Sequence, residues 1–144
     1  MFPALRMVIG LVLLVSGVEK AISPYQNFLY VIQAYQMLPS PLENAVAIIL
    51  PWVELAIGLF MLLGLWVRLS VNLSLVIFAL FIAVVGQALL RGLPIDQCGC
   101  FGQMVHVPPR VIILFDSVTL LLLYVLTRNV PNTSRFSLDR YFHK

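Results

Sequence analysis

Apolar residues run along this chain in four long blocks separated by shorter polar stretches. The blocks are about 4–22, 44–66 and 69–90, with a fourth over Val111–Thr127 that extends outward through Pro109 and Arg110 to 109–127. A helix needs about 20 residues to cross a bilayer, so each block is long enough or nearly so. Pro109 suits a helix start, because the first turn has no use for its missing N–H. Between the first two blocks the period changes. Phe28, Leu29, Val31, Ile32 and Tyr35 recur at near-helical spacing, with Gln26, Asn27, Gln33 and Gln36 between them. That predicts a short amphipathic helix lying at the membrane interface, as an anchor or as a lid over the outer mouth, ended by Met37–Pro41. The pattern as a whole predicts an all-α membrane protein. Its architecture is a four-helix transmembrane bundle over 1–127, with a short interfacial helix in the first outer loop and a basic cytoplasmic tail over 128–144.

Composition agrees and excludes a soluble domain. Of 144 residues, 61% are hydrophobic and 10% charged, and the mean hydropathy is +1.00. Soluble domains carry about 25% charged residues. The first block ends in Glu19-Lys20 without a small-residue cleavage pattern, so it is expected to be a retained span rather than a signal peptide. Four spans put both ends on one side. That side holds Arg6, Arg68, Arg128, Arg135, Arg140 and Lys144; the other holds Lys20, Arg91 and Arg110. The excess of basic residues predicts both termini in the cytoplasm, with the loops Ser23–Glu43 and Arg91–Pro108 outside it.

A few charges interrupt the apolar blocks. Glu54 falls in the second and Asp116 in the fourth, and charges at membrane depth usually face the bundle interior with a partner. Counted from the outer ends, Glu54 is roughly 15 Å deep and Asp116 roughly 8–10 Å, at 1.5 Å per residue. Glu19, Lys20 and Gln87 belong to the same outer half. Lys20 is the expected partner of Glu54. The cluster reads either as helix glue or as a proton or quinone site. Pro51 is expected to kink the second span.

Both cysteines lie in the second outer loop, in Ile95–His106, I-D-Q-C-G-C-F-G-Q-M-V-H. Three chemistries are open to Cys98 and Cys100. A structural bridge closing so short a loop contributes about 1.6 kcal/mol before strain, against about 3 for a fifteen-residue loop. Metal ligation could use both cysteines with His106 and Asp96, although closed zinc sites need four ligands; transfer of a soft ion such as Cu(I) asks for less. A redox dithiol fits an extracytoplasmic loop, where disulfides form and persist. One thiol attacks and its neighbour resolves the mixed disulfide, while Arg91 or Arg110 nearby favours the reactive thiolate.

The G-x-x-K of Gly17–Lys20, Pro51 with Glu54, and above all R-G-x-x-x-D-x-C-G-C-F-G at Arg91–Gly102 resemble the MauE branch of the DoxX-like membrane proteins, over about residues 6 to 127. The resemblance implies a four-helix bundle in the bacterial inner membrane with a periplasmic CGC loop. MauE is associated with maturation of the disulfide-rich small subunit of methylamine dehydrogenase, alongside a thioredoxin-like partner. By that similarity, Cys98 and Cys100 exchange disulfides with a periplasmic thioredoxin-like protein or a disulfide-containing substrate protein. Wider-family members are linked to thiosulfate oxidation and quinone reduction, which makes a quinone the cofactor to consider. With two cysteines in all, this chain has no second pair to relay electrons inward. The expected function is membrane thiol–disulfide exchange, possible as an enzymatic activity, with Cys98 and Cys100 as the reactive pair and Lys20, Glu54, Asp116 and Arg91 in support. The alternatives are a non-enzymatic anchor or scaffold of an oxidoreductase complex and a soft-metal transfer protein.

Overall fold

A computed structural model describes residues 2–94 and 108–129. Its elements are five helices: α1 (Phe2–Ile22), α2 (Tyr25–Ala34), α3 (Ser40–Leu63), α4 (Val67–Leu90) and α5 (Pro109–Arg128). No strand occurs among the described residues.

The helix limits follow local chemistry. Serine and two prolines open α3, with Pro41 in its first turn. The apolar pattern ends the interfacial helix at Met37–Pro41 and begins the next span at residue 44; α3 starts earlier, at Ser40, because a first-turn proline loses no hydrogen bond. Pro51 is carried inside α3, which remains one helix. At its other end Gly64 adopts a left-handed conformation (φ 69°), and the N–H of Leu65 donates to the carbonyl of Phe60 at 3.0 Å. Glycine takes that conformation without a Cβ clash. Trp66 is also left-handed (φ 46°) and leads into α4. The second span therefore stops at Leu63, short of the expected Trp66.

The four long helices alternate in direction. Gly17 of α1 lies against Pro51 and Leu55 of α3, while Gly10 lies against Gly58 and Met61. On the far side, Val85 and Ala88 of α4 pack with Ile112 of α5, and Val67 and Val71 pack with Leu123 and Leu126. One core combines Ile9 and Leu13 with Ile57, Met61, Phe78 and Leu123, so all four helices share it. Tyr35, just past α2, closes a smaller core on α4 and α5.

Burial differs from that of a water-soluble bundle in its charges and in its outer surface. Arg6, Lys20, Glu54, Ser70, Ser74 and Asp116 are buried, while Leu11, Val15, Leu114, Val118 and Leu121 are exposed. In water such a surface would be a large exposed apolar patch; in a bilayer it faces lipid. Helices α3, α4 and α5 are long and apolar enough to cross a membrane. The chain is an all-α membrane protein. Helix α1 has 21 residues and carries Arg6, Glu19 and Lys20. Arg6 and Lys20 both turn inward (0% and 3% exposed). Arg6 was expected only as a charge at the span end.

Candidate functional site

The site begins with a close approach of two helices. A Cβ on Gly17 would stand 2.7 Å from the backbone nitrogen of Leu55 and 2.9 Å from the carbonyl of Pro51. A Cβ on Gly58 would stand 2.6 Å from the nitrogen of Leu14. Glycine at these positions lets α1 and α3 touch backbone to backbone, the way small residues bring membrane helices together.

That contact sets Lys20 against Glu54. The ammonium Nζ donates to Glu54 Oε1 at 2.9 Å and Oε2 at 2.8 Å, and to Ser16 Oγ at 2.8 Å. Ser16 Oγ in turn donates to Glu54 Oε2 at 3.1 Å. A lysine ammonium has three N–H donors, and here three oxygens receive them. Above the ammonium stand two aromatic rings, Phe28 of α2 at 5.3 Å and Phe81 of α4 at 5.5 Å to the centroid. Rings at that distance attract a cation through their quadrupole. Lys20 thus ties α1, α2, α3 and α4 together at one point.

Asp116 enters from α5. It is 2% exposed, its Oδ2 has no hydrogen-bond partner among the described residues, and Lys20 is the charged group acting on it electrostatically. The pairing of Lys20 with Glu54 is the one read from the sequence. Ser16 was not foreseen, although it sits one turn before Lys20, within side-chain reach on the same helix face. Phe28 and Phe81 gave no signal either, since phenylalanine is ordinary in apolar segments.

Phe28 and Phe81 also line an apolar cavity of about 400 Å³ between α2, α3 and α4, with Ile32, Val46, Leu50 and Val84 among its walls. Its size falls in the range of small-molecule sites.

Arg91 caps α4. Its guanidinium donates to the Gln36 carbonyl and to Gln87 Oε1, both at 3.4 Å, and Gln87 Nε2 donates to the Tyr35 carbonyl at 3.3 Å. These bonds fix the chain after α2 to the end of α4. Cys98, Cys100, Asp96 and His106 lie outside the described residues, as does most of the tail. Among the described residues no group of His, Cys, Asp and Glu is placed to hold a metal.

Comparison with protein families gives a match to methylamine utilisation protein MauE over residues 1–128. Comparisons with curated proteins and with solved structures give no match.

Proposed function

The chain belongs to the MauE family of methylamine utilisation proteins, and from that premise we propose that it is a membrane thiol–disulfide protein. Cys98 and Cys100 support disulfide formation in, or maturation of, proteins outside the cytoplasm. The observation that carries this reading is where the cysteines fall in the chain. They are its only two, one residue apart, in the connection from Leu90 of α4 to Pro109 of α5. The Lys20–Glu54 pair and Asp116 lie in the half of the bundle nearer that connection, and Arg91 stands at its root. In this reading α1 is a fourth span, both termini are in the cytoplasm, and residues 23–39 and 91–108 face the periplasm across a bacterial inner membrane.

The chemistry is exchange. A thiolate attacks a disulfide sulfur, a mixed disulfide forms, and the attacked bond releases its other sulfur as a thiolate. The second thiol of the attacking pair then resolves the mixed disulfide, so two electrons pass from dithiol to disulfide. Arg91 supports the thiolate by its charge. The partner is a periplasmic thioredoxin-like protein or the disulfide-containing substrate itself. Lys20, Glu54 and Asp116 support the bundle beneath the loop.

A second reading for the electron acceptor rests on the cavity beside Phe28 and Phe81. A lipid-soluble quinone fits an apolar chamber among membrane helices, and its test is thiol-dependent quinone reduction by the purified protein.

The test of the main reading is the double variant Cys98→Ser/Cys100→Ser. Disulfides in the extracytoplasmic methylamine utilisation proteins are expected to fail to form. If they form normally, the thiol reading is wrong and the chain acts as an anchor or scaffold. Bound copper or zinc in the purified, reduced protein would instead favour soft-metal transfer.

A further inference from the structure

The buried charges of the bundle do not balance. Glu54 and Asp116 are two buried carboxylates, and Lys20, itself buried, is bonded to Glu54. All three N–H donors of Lys20 are taken by Ser16 and Glu54. Asp116 Oδ2, on a side chain 2% exposed, has no hydrogen-bond partner among the described residues.

Other described charges stand elsewhere. Arg6, fully buried, is in the first turns of α1, at the other end of that helix from Lys20. Arg128 is in the last turn of α5, helix α2 has no charge, and α4 has Arg68 in its first turn, at the opposite end. Arg91 is at the exposed end of α4, held by Gln36 and Gln87. Arg110 is in the first turn of α5, and Glu43 in the first turn of α3. Glu19 adjoins Lys20 in sequence but is less buried. A second carboxylate with no cation of its own is costly among apolar side chains unless something neutralises it.

We infer that Ser16, Lys20, Glu54 and Asp116 form a membrane-embedded proton-binding site that holds one exchangeable proton, seated on Asp116 while Lys20 pairs with Glu54. The occupied cluster is neutral: one ammonium, one carboxylate and one carboxylic acid. Loss of the proton leaves one ammonium for two carboxylates. The site stands on the cluster alone and does not depend on the cysteines, so either reading can fail without the other.

Infrared difference spectroscopy on the purified full chain in lipid nanodiscs tests it. A protonated carboxylic acid has a carbonyl stretch that a carboxylate lacks, and exchange into heavy water shifts it. At neutral pH the wild type is expected to show such a band, absent in Asp116→Asn and retained in Glu43→Gln. It is also expected to vanish in Glu54→Gln, because removing one carboxylate leaves Asp116 as the only counter-charge for Lys20. Asp116→Glu, which keeps the acid, is expected to retain the band at a shifted position. A wild type without the band, a band unchanged by both Asp116 substitutions, or one that survives intact in Glu54→Gln would overturn the proposal.

Discussion

Lys20 spends its whole hydrogen-bonding capacity inside the bundle, on Ser16 and both oxygens of Glu54, and two rings cover it. Removing one member of such a buried pair strands the other charge, which costs roughly 3–5 kcal/mol. Lys20→Met is therefore expected to lower stability by about that amount, read from the unfolding of the purified protein in detergent. Glu54→Gln is expected to cost less, since Asp116 is within electrostatic reach to take over the ammonium. The double variant Lys20→Met/Glu54→Leu should cost less than the sum of Lys20→Met and Glu54→Leu measured alone. Strict additivity would mean that the pair is not coupled. This pair was legible in the sequence because charges are rare in apolar blocks, so the few present must find one another. Ser16, Phe28 and Phe81 were not legible, because serine and phenylalanine are common in such blocks and only the helix packing selects them.

Among the elements, the α1–α3 seam depends on glycine where a Cβ would meet backbone rather than a flexible side chain. Gly17→Ala must push the helices apart and is expected to cost about 1–3 kcal/mol, as overpacking does. Gly86 on α4 has nothing within 4 Å of its would-be Cβ. Gly86→Ala is therefore expected to be neutral or to stabilise the helix by up to about 1 kcal/mol. Unfolding of the two variants side by side checks both, and equal effects would contradict the seam. The helices themselves were readable from the period of apolar positions, α2 included. The early start of α3 was hidden by Pro39 and Pro41, which look like loop residues until their place in the first turn is known. The inward turn of Arg6 was hidden as well, because a basic residue at a span end ordinarily marks the side that it faces.

At the scale of the molecule, buried charges and an exposed apolar surface describe a bundle built for lipid. Three of its helices are apolar enough to cross by composition, and α1, backbone to backbone with α3 along Gly10 and Gly17, goes with them in the four-span topology proposed above. That topology predicts that a membrane-impermeant thiol reagent added outside intact spheroplasts labels reduced Cys98 and Cys100. Labelling only after the membrane is broken would reverse the orientation. The cysteine chemistry itself was read from the sequence, from spacing and resemblance, and its residues lie outside the described part of the fold. The central claim is thus tested most directly by trapping. Cells carrying Cys98→Ser or Cys100→Ser are quenched in acid, and their membrane proteins are separated without reductant. The variant that keeps the attacking thiol and lacks the resolving one is expected to accumulate a mixed disulfide with an extracytoplasmic protein, identifiable by mass spectrometry and absent from the double variant. If neither single variant yields such an adduct while both fold and insert normally, the pair does not exchange disulfides.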